Sequence, residues 1–483
     1  MRALCIILMA ALLLVAIAAP VSLGQQQTQD QSTPPIPAYR PPIVSLTDNG
    51  NSQDSSGDAE LTPDTRPLAG VQDFSLGVPP LVRSYWQPRI DLLSTTDSDP
   101  LSGKGTSAWG TYASLLGGFD LHRVSGNSSL ALAYQGGGTV TTDSTIGNSV
   151  IQEMQFSEKL SWRRSAISLI DQLGYIPESS FGYGGLSGVS LPGGGSLGLQ
   201  NGFLPGQSVL TTRGQRLSNS FMTEVDAFAT PRSSFTFIGG YSLLHYFDSS
   251  YLNFGDAIFQ GGYNYQMSRR GALAAFYRFQ GYRYGGYGQS INDHSFQGSF
   301  GYRVTGKLAF QVAGGPDVVF SQIPLSGSTG TGGGTTASSA RQIYWTAHSA
   351  LTYSLPRTKF GFVYDHGLSG GSGVLAGSEI DQVSGSAGGF LSRAWTGGLD
   401  LGYARNHGLS IATTTPSSGT YDYCFGGAYL SRTWGRSVSL FANYQIQYQT
   451  SSSTFSVGST AGTSLVRHQV SIGFSWQARP LPF

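Results

Sequence analysis

Seven histidines stand in this 483-residue chain: His122, His245, His294, His348, His366, His407 and His468. They are the side chains best able to act as bases near neutral pH. None lies in a nucleophile motif, and His366 and His407 fall in stretches that read as loops. Strings that mimic G-x-G-x-x-G arise by chance in a chain with 67 glycines, and no strand–helix unit follows them. The two cysteines, Cys5 and Cys424, exclude a multi-bridge framework and the common multi-cysteine zinc patterns. The pattern argues against an enzyme and asks for neither cofactor nor metal. What remains is a set of charged side chains scattered at alternate positions of otherwise neutral segments. They are Asp120, Glu153, Lys159, Glu224, Asp226, Arg278, Arg303, Lys359, Asp365, Asp400, Asp422, Arg432 and Arg467. Both signs are present. Turned to one side of a wall, they would hydrate a lumen, pair with one another, or set a transverse field that selects small polar solutes.

The elements that would turn them to one side have a period of two. In His294–Val304 the residues Phe296, Phe300, Tyr302 and Val304 alternate with Ser295, Gln297, Ser299 and Arg303. Phe235, Phe237, Tyr241 and Leu243 oppose Ser234, Thr236 and Ser242. Val438, Leu440, Ala442, Tyr444, Ile446 and Tyr448 oppose Ser437, Ser439, Asn443, Gln445 and Gln447. By the same arithmetic Tyr421, Tyr423, Phe425 and Tyr429 form an oily face against Asp422, Cys424 and Arg432. Segments of about ten residues with this dyad repeat are the signature of a transmembrane barrel.

The connections alternate in length. Short ones are Thr230-Pro231-Arg232, Ser268-Arg269-Arg270, Thr305-Gly306-Lys307, Leu355-Pro356-Arg357 and Arg432–Arg436, most with a positive charge. Between them lie long Gly/Ser/Thr-rich ones at 175–216, 285–293, 321–341, 367–378, 406–419 and 450–464. Candidate strands fall at 84–95, 108–121, 128–137, 149–162, 165–174, 217–229, 233–247, 255–268 and 271–284, then 294–304, 308–319, 342–354, 358–366, 379–391, 395–405, 420–431, 437–449 and 466–477. The first contains Pro88, and the fourth places Glu158 on its oily face. The expected fold is all-β: a transmembrane, antiparallel, up-and-down β-barrel of about 18 strands (16–20 fit the pattern), with short periplasmic turns and long extracellular loops. An even count returns the chain to the side where it began. Trp109, Trp162, Tyr282, Trp395, Trp434 and Trp476 stand near segment ends, as interfacial girdles would.

Composition agrees. Lys+Arg 28 against Asp+Glu 27 leaves no electrostatic footprint for nucleic acid, and only 11% of residues are charged. Arg2, the apolar run Ala3–Ala19 and the small residues of Ser22-Leu23-Gly24 make residues 1–24 a cleaved secretory signal. Residues 25–83, rich in Pro, Gln, Asp and Ser, form a disordered periplasmic linker, and 84–483 the barrel. No later segment supplies about 20 unbroken apolar residues, so strands must do the crossing.

The dyad strands from 217 to 477, the Arg-bearing short turns and the terminal Phe483 resemble the Gram-negative outer-membrane β-barrel proteins, porin-like in kind. The lead YWQPRIDLLSTTDSDP is more loosely similar to barrels encoded with exopolysaccharide biosynthesis genes. Pro480 and Pro482 depart from the family's C-terminal strand and leave Phe483 beyond the last clear strand. The resemblance implies the bacterial outer membrane as location, its lipid and the barrel-assembly machinery as partners, and no nucleic acid. It implies a channel for small polar solutes or exported polysaccharide, or alternatively a structural or adhesive surface barrel acting through its loops. The 42 residues of 175–216 form the expected constriction or plug if they fold inward.

Overall fold

The computed structural model describes residues 84–98, 109–141, 148–178, 213–247, 252–285, 289–324, 337–370, 377–409, 419–435, 437–451 and 464–483. The leader, the linker and most of the 175–216 segment lie outside the described residues. From Tyr85 onward the alternation of β-branched or aromatic residues with small polar ones gives strands. They are β1 (Tyr85–Asp97), β2 (Gly110–Ser125), β3 (Ser128–Thr141), β4 (Ser149–Ser161), β5 (Ser165–Glu178), β6 (Arg213–Thr230), β7 (Ser233–Tyr246), β8 (Phe254–Gln266) and β9 (Gly271–Tyr284). There follow β10 (Ser290–Arg303), β11 (Leu308–Pro324), β12 (Ala337–Ser354), β13 (Thr358–Ser369), β14 (Ser378–Phe390), β15 (Trp395–Gly408), β16 (Thr420–Trp434), β17 (Val438–Ser451), β18 (Ser464–Gln477) and the two-residue β19 (Leu481–Pro482).

From β1 to β18 each strand pairs antiparallel with the next, and β1 pairs with β18, so the sheet closes into an 18-stranded barrel. Closure satisfies the backbone groups that an open edge would leave unpaired. The seam runs from Arg89 opposite Gln477 to Asp97 opposite Gln469. The β2–β3 turn is two residues, Gly126-Asn127, with Gly126 at a φ of 54°, a left-handed conformation that glycine adopts without strain. The short turns share one end of the barrel with Tyr85 and Phe483, and the strand ends that flank the long connections share the other. The chain thus has the architecture of the outer-membrane β-barrels it resembles.

Two features of the ends refine the sequence reading. Pairing does not stop at Gln477: Leu481 and Pro482 meet Trp86 and Tyr85 of β1, so Phe483 follows a resumed strand. Pro88 fits because its carbonyl accepts the Ala478 N–H at 2.9 Å. The N–H it lacks would have faced the Ala478 carbonyl, to which the Gln87 Nε2 donates instead at 2.7 Å.

Alternate residues on each strand differ in exposure. On β7, Ser234, Thr236 and Ser242 are buried on the inner face, while Phe235, Phe237, Tyr241 and Leu243 are exposed on the outer one. Ile90, Leu92, Leu115, Phe259, Phe296, Ile343 and Ile472 continue this outer belt around the barrel. A contiguous apolar band of that extent suits hydrocarbon, not water. Trp86, Trp162, Trp395, Trp434 and Trp476 edge it at the short-turn end, and Trp109 lies at the other. Tyr282 departs from that girdle: it faces inward and is 3% exposed. Glu158 does face outward, next to the β2–β3 turn, where the Ser128 hydroxyl donates to its Oε1 at 3.0 Å.

Candidate channel lumen and its constriction

The inner wall is built by strand parity. Asp120, Glu153, Lys159, Glu224, Asp226, Arg278, Arg303, Lys359, Asp365, Asp400 and Arg467 share the face whose neighbours are buried, the side turned to the lumen. Asp422 and Arg432 lie on the opposite face. On β16 the inward positions are Tyr423 and Phe425, opposite Gln449 and Gln447 of β17, followed by Tyr429. The expected faces of this strand are therefore exchanged. The physical reason is glycine on the neighbouring strand. A Cβ at Gly402 would run into the Phe425 ring, and one at Gly398 would sit 2.5 Å from Tyr429 Cε1, so both rings lie flat in space that β15 leaves open. Outside, Asp422 accepts the Tyr403 O–H at 2.8 Å and lies 3.8 Å from Arg405 Nε. The Arg432 guanidinium sits 5.3 Å over the Trp395 ring.

Other inward charges were not in the sequence-derived set: Arg89, Asp91, Asp97, Arg216, Asp256, Asp293 and Asp317, all buried. Asp256 and Asp317 share the parity of their strands' polar faces, and that signal could have found them. Asp293 lies in 285–293, which by its pattern reads as a connection and not as a strand face. The inward groups form networks. Arg89 Nη2 donates to Gln135 Oε1 at 3.3 Å, and Gln135 Nε2 donates to Asp91 at the same distance. Thr236 Oγ1 donates to Asp226 at 2.6 Å, and Asn264 Nδ2 donates to Thr236 at 2.9 Å. Gln280 Nε2 donates to Asp256 at 2.8 Å. Arg467 grips Asp97 with Nε, 2.9 Å from both carboxylate oxygens, and with Nη2.

At the long-loop end the wall parts between β12 and β13, while β14 stays laddered to β15 as far as Ser378 opposite Gly408. The β12–β13 ladder stops at Ala347 opposite His366, although β12 stays paired to β11 as far as Ala337. β13 and β14 stay paired to each other from Gly367–Ile380 to Ser369–Ser378. The β13–β14 hairpin, still carried by β15, lies over the inner wall. Thr346, whose side chain faces inward, donates to the His366 carbonyl at 3.2 Å. Tyr284 of β9 donates its O–H to the Gly370 carbonyl at 2.7 Å. Leu368 packs on the inward cluster Leu244, Tyr246, Phe254, Tyr282, Tyr284, Ile291 and Val319, with Tyr344 and Leu409 beside it.

Two glycines admit this seat. A Cβ at Gly370 would lie 2.5 Å from Tyr282 Cε1. Gly377 has a φ of 82°, and its carbonyl accepts the Leu409 N–H at 3.3 Å. Each fully buried aliphatic side chain in such a cluster contributes about 1.5–3 kcal/mol. The hairpin and its aromatic bed narrow the mouth above Asp256, Asp293 and Asp317. A second inward apolar cluster, Leu116, Ile151 and Phe441 with Leu93, stands on the opposite stretch of wall. Two apolar clusters thus interrupt an inner wall that is otherwise polar.

No protein-family model matches the chain, and no curated protein matches its sequence. Among solved structures the chain is similar to OccK2 (OpdF) of Pseudomonas aeruginosa in complex with glucuronate, at 10% identity and TM-score 0.40, covering 82% of this chain and 98% of that one. It is similar to OpdQ of Pseudomonas aeruginosa at 11% identity and TM-score 0.39, covering 82% and 98%. It is similar to the ferric-catecholate import receptor Fiu of E. coli K12 at 9% identity and TM-score 0.41, covering 83% and 82%. Similarity at this level adds nothing to what the chain's own residues say of the lumen.

Proposed function

We propose that this barrel is a channel of the bacterial outer membrane for small polar solutes, throttled at its outer mouth by the β13–β14 hairpin. In this reading the leader at 1–24 is removed on export and the barrel-assembly machinery inserts the chain. The short turns then face the periplasm. The observation that supports it is the hairpin seated across an inner wall that is otherwise polar and charged. A wall of that kind conducts water and small solutes in barrels of this strand number. The narrowing weighs against a bulky polymer, so exported polysaccharide is the poorer cargo, and no catalytic step is part of the reading.

The test is conductance in planar lipid bilayers. Purified barrel is expected to give discrete steps, and replacing residues 369–378 by a two-residue Asn-Gly turn is expected to enlarge them. Absence of steps from both proteins would leave the alternative, a surface barrel that acts through its loops. Deleting 181–210 in parallel tells whether the long fifth connection also narrows the pore.

A further inference from the structure

The short-turn end of the barrel carries charge of one sign. Six of the eight short turns, β2–β3 to β16–β17, expose a Lys or Arg among the described residues: Arg164, Arg232, Arg270, Lys307, Arg357 and Arg393. Arg163 and Arg269 double two of them, and none of the eight turns contains Asp or Glu. None of these cations is paired with a carboxylate among the described residues. Glu158, the outward carboxylate near this end, accepts the Ser128 hydroxyl instead. The other end differs. There the outward Arg405 is opposite Asp381 in register and lies 3.8 Å from Asp422, so the charges offset one another.

The apolar belt fixes the depth of the unpaired cations. Trp162, Met267, Val304 and Leu391 are exposed on the outer face, and a cation follows each within three positions. Three residues of extended chain span about 10 Å. Arginine side chains are long enough to reach back from there into the headgroup layer. Arg432 already lies over the Trp395 ring in the same girdle. All of the turn cations named except Lys307 are arginines, whose fork of N–H donors matches phosphate oxygens. We propose that the ring of short turns is a docking surface for anionic phospholipid headgroups, whose phosphates the turn arginines hold. A zwitterionic headgroup also offers a phosphate, but its own cation repels the neighbouring arginine. Residues 25–83, with seven Asp and Glu against three Arg, are a second source of negative charge. They join the barrel only at Ser84, whereas the cations border the belt from turn to turn, and that favours lipid. The surface rests on the outer belt and stands whether or not the lumen conducts.

The experiment is quenching of tryptophan fluorescence in the full-length barrel, refolded into phosphatidylcholine vesicles. Brominated phosphatidylglycerol or brominated phosphatidylcholine is added as the minor lipid. Five of the seven tryptophans, Trp86, Trp162, Trp395, Trp434 and Trp476, edge the belt at the short-turn end, so the signal reports chiefly on that end. At about 20 mM salt the brominated phosphatidylglycerol is expected to bind about fivefold more tightly, the preference that one cation gives at an anionic surface. At about 0.5 M salt the preference is expected to fall toward unity. Arg163→Gln, Arg164→Gln, Arg269→Gln and Arg270→Gln together are expected to remove most of it, whereas Arg341→Gln at the other end leaves it whole. Equal quenching by the two lipids in the wild type overturns the proposal. So does a preference that survives the four substitutions or does not respond to salt. Asp54→Asn, Asp58→Asn and Glu60→Gln together are expected to leave the preference as it was, and a several-fold rise would assign the ring to residues 25–83 instead. Should the fourfold variant not yield a heat-modifiable barrel, the salt dependence of the wild type decides.

Discussion

At the scale of single residues, the seam is secured by one buried ion pair. Asp97 and Arg467 have side chains 0% and 2% exposed, and they join the first and last long strands inside the lumen. Gln469 Nε2 adds a bond to Asp97 at 3.1 Å. A buried pair of this kind adds little net stability over an apolar replacement, but breaking it leaves an uncompensated charge. Arg467→Met is therefore expected to destabilise the barrel by about 3–5 kcal/mol, and Asp97→Leu with Arg467→Met by much less. Urea unfolding in detergent micelles measures both, and equal losses for the single and double variants would refute the account. A second prediction separates the two faces. Asp400→Asn, on the inner wall, is expected to shift the reversal potential in a salt gradient toward anions, whereas Asp422→Asn, on the outer wall, leaves it unmoved. The sequence misassigned Asp422 and Arg432 because β16 has apolar residues on both faces. Tyr423, Phe425 and Tyr429 outweigh Ala428 and Leu430 in any count of oily positions. The glycines that make room for those rings lie on another strand, at Gly398 and Gly402. Alternation within one strand carries no record of them.

At the scale of the element, the hairpin shows where reading a sequence by local pattern ends. The strand ranges 358–366 and 379–391 were legible, and the break between them was read as a long loop. In the structure the ladder continues to Ser369 and Ser378, with β13 parted from β12 beyond His366 and β14 still paired to β15. The seat of the hairpin depends on Tyr284, Tyr282 and Ile291, more than 70 residues upstream, so no local periodicity announces it. Most of the expected constriction, 175–216, lies outside the described residues, and the hairpin proposed to narrow the mouth belongs to a different connection. Steric fit supplies the test. Gly370→Leu would drive a side chain into the Tyr282 ring, so the hairpin cannot seat and conductance is expected to rise toward that of the Asn-Gly replacement. Tyr284→Phe removes only the hydroxyl bond to the Gly370 carbonyl, worth about 0.5–1.5 kcal/mol, and is expected to give brief openings to the same level. Wild-type conductance in Gly370→Leu would mean that the hairpin does not limit flow.

At the scale of the whole molecule, face and end are fixed by two separate rules, and that is why so much of the fold was legible. The period of two assigns each side chain to lumen or lipid, and the rhythm of turn lengths assigns each connection to an end. Together they give antiparallel order and an even strand number, and hence termini that meet. What they do not give is how the ring is closed. β1 and β18 are ladder partners only from Arg89 to Asp97, and below that the duty passes to β19, where Leu481 and Pro482 pair with Trp86 and Tyr85. Without those pairs the short-turn end of β1 would have an unpaired edge at the membrane border, beside Trp86 and Trp476. An edge of that kind is an invitation to mispairing. Removing residues 481–483 is therefore expected to leave the lumen and its conductance intact while lowering the temperature at which the barrel loses its compact gel mobility. The loss should also be larger than for a truncation confined to Phe483, which lies outside the paired register. Identical heat-modifiability of the two truncations and the full chain would show that the seam is held by β18 alone.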